Sequence, residues 1–113
     1  EVRPIELEIL HKTRELLGEE SSWHADDDRQ CEDDLESGKY SLYCAMKAAS
    51  IAVTQDFNHR NAALNLVRKG IGDMRPDREY EHRLMDFNNE ESYETILQLL
   101  ANCTEELERE LTP

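Results

Sequence analysis

The sequence contains no long apolar run. Its least charged stretch, residues 40–53, is fourteen residues long and carries Lys47. Because a membrane-spanning helix needs about 20 consecutive apolar residues, this stretch predicts a buried, central helix rather than a transmembrane one. The first residues are acidic and amphipathic, so they do not match the basic and then apolar pattern of a signal peptide.

Basic residues are scarce. The 113 residues hold 13 Lys and Arg against 26 Asp and Glu, and the net charge is −13. A field of this sign repels phosphate groups, which argues against nucleic acid and against an anionic membrane as partners. Only the stretch 60–83 is mildly basic.

There are only three cysteines, and their spacing matches no metal site. Disulfide frameworks in small secreted proteins use even numbers of cysteines, whereas cytoplasmic proteins keep their thiols reduced. We therefore expect free cysteines and a cytoplasmic protein. Cys44 lies in the apolar stretch, where we expect a buried thiol that behaves as a small hydrophobe.

Internal repeats and the strand-type alternation of apolar and polar residues are also missing. What remains is helical periodicity, in a chain long enough for one core but not two. The sequence therefore predicts a single all-α domain over residues 1–113, with four main helices and room for a short fifth. We expect a bundle-like packing, orthogonal or antiparallel, with a long acidic loop between helices one and two.

Apolar residues at three- and four-residue steps, together with capping residues, predict four main helices, at 4–17, 41–54, 58–69 and 89–111. Gly70 and Gly72 are interpreted as the stop signal of the third helix. Asn88 or Asn89 is interpreted as the N-cap of the last helix. On the first helix, Ile5 and the residues in step with it are expected to face the core.

The stretch 73–87 has no clear period. Pro76 suits the first turn of a short helix, and such a helix would bury Tyr80, Leu84 and Phe87. This short helix is the fifth element of the predicted fold.

Residues 19–38, here called the acidic segment, hold nine acidic residues against one base, Arg29. Packed like charges disfavour compact local structure, so we expect a long, partly mobile loop that Trp23 anchors to the core. Such loops often carry binding groups. We therefore predict an interaction surface formed by Asp26, Asp27, Asp28, Asp33 and Asp34. The alternative is that the loop only keeps the protein soluble, or pairs with the stretch 60–83.

Trp23, His24 and His59 are candidates for a pocket between the acidic segment and helix two. A small-molecule or metal-dependent activity in that pocket is the alternative function. Two Glu-x-x-His pairs, Glu8–His11 and Glu79–His82, have the spacing of di-iron bundles, but helices two and three lack the further glutamates that such a site needs. We predict no metal and no cofactor.

No residue is predicted to be catalytic. An apolar helix disfavours the thiolate of Cys44, and Cys103 on the inner face of the last helix is interpreted in the same way. Helix three carries Asn61, Asn65 and Arg68 around its apolar stripe, and such side chains read bases when a recognition helix presents them. With a net charge of −13 we interpret them as a solvent face instead.

Several short features occur together in this chain: Trp23 after the first helix, the sequence Cys44-Ala45-Met46-Lys47-Ala48, the sequence Phe87-Asn88-Asn89 and the helix around Thr95-Ile96-Leu97. In these features the chain resembles a family of small all-helical proteins from bacteria and their phages, a domain of unknown function. In that family an aromatic residue followed by Asn-Asp opens the last helix, whereas the second position is Asn89 here. A glycine that often follows the cysteine is replaced by Lys47. The resemblance implies an all-α fold and no particular activity.

These observations favour a non-enzymatic interaction or regulatory protein whose acidic surface binds a protein partner with a basic surface. The long amphipathic last helix also predicts a homodimer, in which the stripe 93–111 meets a second copy.

Overall fold

A computed structural model describes residues 4–25, 31, 39–58 and 61–111. In these ranges the fold is all-α, as the sequence predicts. The α-helices are α1 (Ile5–Leu16), α2 (Leu42–Thr54), α3 (Ala62–Met74), α4 (Arg83–Glu90) and α5 (Tyr93–Leu111), and Glu20–Ser22 forms a 3-10 helix. None of the helices described is long and apolar enough to cross a membrane.

The helices enclose one hydrophobic core. Helix α1 packs against α2, α3 and α5, while α3 also contacts α4 and α5, and α2 contacts α4. The largest side chains with no exposed surface come from all five helices and from the turn after α1, and include Leu10, Leu17, Met46, Ile71, Phe87 and Ile96. The predicted single small helical domain is therefore confirmed in its architecture.

Helix α2 is buried most completely in its first half. Its N-cap, Ser41, accepts a hydrogen bond from the Cys44 backbone N–H at 3.1 Å, and its C-cap, Gln55, adopts a left-handed conformation with φ 65°. Residues 42–46 are buried, but Ile51 in the second half is 46% exposed. Ala49 and Ser50 in the second half are also completely buried, so the expectation of a central helix holds for the first half and for one face of the second.

Helix α3 begins and ends later than the sequence predicts. Asn61 is its N-cap, since the Asn61 side chain accepts a hydrogen bond from the Leu64 backbone N–H at 3.0 Å. Gly70 and Gly72 do not stop the helix, which continues to Met74. Gly70 lies where α3 crosses α5, and a Cβ atom there would stand 2.7 Å from the Cys103 Sγ. This glycine permits close helix packing, so its interpretation as a stop signal is wrong.

The starts of α4 and α5 also differ from the prediction. The Pro76 region is a turn, and α4 begins only at Arg83, although Leu84 and Phe87 are buried as expected. Asn88 lies inside α4 and is completely buried, so it does not cap the last helix. Ser92 takes that position, because its Oγ accepts a hydrogen bond from the Thr95 backbone N–H at 3.2 Å.

The apolar stripe of α5 is used within the protomer. Seven of its residues are buried: Tyr93, Ile96, Leu99, Leu100, Cys103, Thr104 and Leu107. They face α1 and α3, the helices against which α5 packs. Leu111 at the end of the stripe remains 46% exposed. Little apolar surface of this helix is therefore left for a second copy.

We predict that Gly70→Ala destabilises the protein and that Gly72→Ala does not. At position 70 the new methyl group would lie 2.7 Å from the Cys103 Sγ and 2.9 Å from the Leu99 Cδ1, and both of these side chains are themselves buried. Overpacking of this kind costs about 1–3 kcal/mol, which exceeds the gain of about 1 kcal/mol from alanine's helix propensity.

Gly72 is the matched control, because its Cβ would meet nothing closer than the Arg83 Nη1 at 3.8 Å. We expect Gly72→Ala to raise the urea midpoint and Gly70→Ala to lower it, with an unchanged m-value. Equal midpoints for the two variants would contradict the close-packing interpretation.

Candidate interaction site

The two ends of the acidic segment are fastened to each other. Trp23 and Tyr40 form an isolated parallel β-bridge. The His24 backbone N–H donates to the Tyr40 carbonyl at 3.0 Å, and the Tyr40 N–H donates to the Ser22 carbonyl at 2.8 Å. Residues 22–24 and Tyr40 therefore lie side by side, just before α2.

A disulfide is the second attachment of the segment, near its middle. Cys31 is bonded to Cys44 in the first turn of α2, with 5.5 Å between their Cα atoms. Cys31 is half-buried with φ 64°, and Cys44 is 2% exposed. The prediction of free thiols is thus wrong for these two residues. The cysteine spacing gave no signal, because their proximity depends on the return of the chain at Tyr40.

The Asn88 side chain joins these anchors to the core. Its Oδ1 accepts hydrogen bonds from the Trp23 Nε1 at 2.7 Å and from the Leu42 backbone N–H at 3.0 Å. Its Nδ2 donates to the His24 carbonyl and to the Asn89 Oδ1, both at 3.0 Å. One buried amide thereby connects α4, the start of α2 and two residues of the acidic segment, Trp23 and His24.

Trp23 is held by aromatic packing as well. Its ring lies 6.0 Å from that of Tyr93, at an interplanar angle of 43°. The Tyr93 hydroxyl donates to the Leu17 carbonyl at 2.6 Å, which satisfies the end of α1. Trp23 packs against the core as the sequence predicts, and its only polar group is already used by Asn88.

The structure describes two of the residues proposed from sequence for a pocket, Trp23 and His24. His59 lies outside the described residues, as does the proposed surface of Asp26, Asp27, Asp28, Asp33 and Asp34. The structure describes a concave site elsewhere. It is a cleft of about 260 Å³ between the starts of α1 and α3 and the end of α2, lined by Ile5, Glu6, Ile9, Thr54, Asp56, Asn58, Asn61, Ala62 and Ala63.

The sequence did not reveal this cleft, here called the α1–α3 cleft. Ile5 was expected to face the core, but it is 54% exposed at the rim of the cleft. The buried residues of α1 are instead Leu7, Ile9, Leu10 and Thr13. Periodicity identified an apolar stripe on α1, but Ile5 lies outside the face that packs against the core.

Three bases of the stretch 60–83 are paired with glutamates of α4 and α5 or the turn between them. Arg75 makes a bidentate pair with Glu91, with two N···O distances of 2.8 Å. Arg78 pairs with both oxygens of Glu90. Lys69 lies 2.8 Å from Glu106, and its hydrogen bond and charge lower the pKa of that carboxyl group. These three bases are therefore engaged away from the acidic segment.

The described residues include one free cysteine, and its thiol is unreactive. Cys103 is buried, and burial, followed by the charges of Glu106 and Asp73, raises the pKa of its thiol to about 11. The thiol is therefore protonated at neutral pH and is a poor nucleophile. In the part of the chain that the structure describes, no group of three or more His, Cys, Asp or Glu residues is arranged to hold a metal ion.

The profile of the family of unknown function DUF6197 matches residues 3–106. The chain belongs to this family. The matched range of the DUF6197 domain includes Trp23, both cysteines of the disulfide and Asn88, together with all of α1–α4. No curated protein and no solved structure matches the chain. The resemblance to a helical domain family of unknown function is thus confirmed, while a bacterial or phage source stays a prediction.

We predict that Asn88→Ala costs the DUF6197 domain about 2–4 kcal/mol of unfolding free energy. The change leaves the Trp23 Nε1 and the Leu42 N–H without their acceptor, and each unsatisfied buried donor costs about 1–3 kcal/mol. Urea unfolding followed by far-UV circular dichroism measures this loss. Asn102→Ala is the control, because Asn102 is exposed on α5 and bonds only to Gln98 among the contacts described.

A second readout separates a local effect from a general one. Trp23 is the only tryptophan in the sequence, so its emission should shift to the red in Asn88→Ala at low denaturant. A variant that is destabilised but keeps the emission of the parent protein would contradict the assigned hydrogen bond.

We also predict the number of reactive thiols. In denaturant without reductant, a thiol reagent should modify one cysteine per chain, Cys103, and after reduction it should modify all three. Reduction of the folded protein should cost about 3 kcal/mol, because the disulfide closes a short loop. Three thiols in the unreduced, air-oxidised protein would show that Cys31 and Cys44 are not bonded.

Proposed function

We propose that this DUF6197 domain is a non-enzymatic interaction module whose acidic segment binds a protein partner with a basic surface. The observation that carries the proposal is the attachment of the segment at two places, by the Trp23–Tyr40 bridge and by the Cys31–Cys44 disulfide. Fixed attachment points lower the entropy that a binding segment loses on association. A segment that serves only to keep the protein soluble does not need them.

The distribution of charge supports the same function. The acidic segment holds nine of the 26 acidic residues, and the whole chain has a net charge of −13. Lys69, Arg75 and Arg78 are already paired with Glu106, Glu91 and Glu90. Three of the six bases in the stretch 60–83 are therefore already paired with other carboxylates. A cationic partner would relieve the mutual repulsion in the segment and would be steered to it.

The other functions considered from sequence have weaker support. A small-molecule or metal-dependent activity beside Trp23 has no contact in its favour, since the Trp23 Nε1 is bonded to Asn88. Self-association through α5 is disfavoured because the stripe of that helix is buried against α1 and α3. A cytoplasmic location loses its main argument, because that argument rested on reduced cysteines and Cys31 is bonded to Cys44.

The proposal is tested with a variant in which the five proposed surface residues are neutralised, Asp26, Asp27, Asp28, Asp33 and Asp34, each replaced by Asn. The probe is a fluorescein-labelled octa-lysine peptide, and its anisotropy reports binding. We expect the variant to bind about tenfold more weakly or worse at low salt, which corresponds to about 1.4 kcal/mol. Binding of the parent protein should weaken as salt is raised to about 150 mM, because exposed charges are then screened beyond about 8 Å.

The matched control removes five exposed carboxylates elsewhere, at Asp77, Glu79, Glu94, Glu105 and Glu110. Its net charge equals that of the first variant, so a loss caused by net charge alone would appear in both. Equal affinities of the two variants, with both folds intact by circular dichroism, would refute a role for the segment. Affinity capture from the native cell with the parent protein, and with the first variant as the reference, then identifies the partner.

A further inference from the structure

The α1–α3 cleft combines an apolar floor with a carboxylate rim. Ile9 and Ala63 form buried parts of its wall, while Ile5 stands at its edge with 54% of its surface exposed. Glu6 from the first turn of α1 and Asp56 from the turn after α2 supply the two acidic groups. An apolar surface next to negative charge suits a ligand that has an aliphatic stem and a cationic head.

Neither carboxylate of the cleft has an ion pair with a base that the structure describes. The pairs described engage Glu15, Glu90, Glu91 and Glu106, and leave Glu6 and Asp56 out. Glu6 is half-buried, so its charge is less exposed to water than that of a surface glutamate. Among the described residues, no base within ion-pair distance offsets the charges of Glu6 and Asp56.

The partial charges at the helix ends around the cleft reduce the negative potential of Glu6 and Asp56 without reversing its sign. The starts of α1 and α3 each contribute about half a positive charge, and the end of α2 contributes about half a negative charge. Two full carboxylate charges exceed that net positive contribution of about one half. At α3 the Asn61 side chain also caps the helix by accepting from the Leu64 N–H, which uses one of the free donors that an anion needs.

The size of the cleft limits its occupant. A volume of about 260 Å³ equals roughly nine water molecules at about 30 Å³ each. Pockets for drug-sized ligands and cofactors are larger, about 300–1,000 Å³. A cleft of this volume suits one long side chain.

We propose that the α1–α3 cleft receives one lysine or arginine side chain of the cationic partner, with its stem against Ile5 and Ile9 and its head between Glu6 and Asp56. This proposal rests on the function proposed above and names a second contact for the same partner. Cys44 and Thr54, which mark the disulfide and the cleft, are ten residues apart on α2, or about 15 Å at 1.5 Å per residue. A partner of modest size spans both.

The test uses the full chain, labelled with ¹⁵N, and a probe small enough to report on the cleft alone. The probe is the lysine side chain in Nα-acetyl-lysine methylamide, and its matched control is the norleucine analogue, which has the same stem without the ammonium group. We expect amide shifts at the residues that line the cleft, such as Ile5, Ile9 and Ala62, with the lysine probe. The norleucine probe should leave these amide resonances unshifted.

Variants then assign the contact to the two carboxylates. We expect Glu6→Gln combined with Asp56→Asn to weaken probe binding about tenfold. The control, Asp77→Asn combined with Glu105→Gln, removes the same charge at exposed positions outside the cleft and should leave binding unchanged. An equal loss in both double variants, or equal shifts with both probes, overturns the proposal.

Two further outcomes keep this proposal separate from the function proposed above. The five-site variant of the acidic segment should lose octa-lysine binding but keep the cleft shifts, whereas failure of the cleft alone leaves octa-lysine binding intact. Arg3 and Arg60 are neighbours of the cleft in sequence and lie outside the described residues. If the probe binds only after Arg3→Ala and Arg60→Ala, the chain's own cation fills the cleft and the partner contact is refuted.

Discussion

Asn88 is the fully buried amide on which the arrangement of the chain depends. It bonds to Trp23 and Leu42, which are 65 and 46 residues away in sequence. The Leu42 N–H is one of the donors that the first turn of a helix leaves without a partner, so a residue of α4 completes the cap of α2. Ser41 satisfies the Cys44 N–H in the same turn. Because every polar atom of Asn88 is used inside the core, replacing it disturbs two helices and the acidic segment together.

The acidic segment depends on this junction and on the disulfide. Repulsion between concentrated negative charges disfavours compact structure. The contacts that hold the chain in place must offset this repulsive free energy. Here the bridge between Trp23 and Tyr40 and the bond from Cys31 to Cys44 supply the attachment. Both lie at the buried start of α2. This end of α2 thus holds Cys31, and the other end forms one wall of the α1–α3 cleft.

The sequence predicted the helices better than it predicted their ends. All-α architecture and the four main helices follow from periodicity, which is a local property of consecutive residues. The predicted helix ends were wrong where one residue type can have two structural roles. Gly70 has the form of a C-terminal stop, but the structure uses its missing side chain to let α3 touch Cys103 and Leu99. Asn88 has the form of an N-cap, but it is a core residue, and Ser92 performs the capping. Glycine and asparagine serve both purposes, and only the neighbouring helix decides between them.

By itself, the sequence determined the helical class, the acidic charge, the position of the charged segment and the membership of DUF6197. Those properties follow from the composition and from the spacing of residues that are near each other in the sequence. Only the tertiary structure decided that Cys31 meets Cys44, that Asn88 bonds to Trp23, and that Ile5 borders a cleft instead of the core. Each of these contacts joins different elements, so it depends on how the helices cross. Helix crossing is set by the combined packing of many side chains, and no short stretch of the chain carries that information.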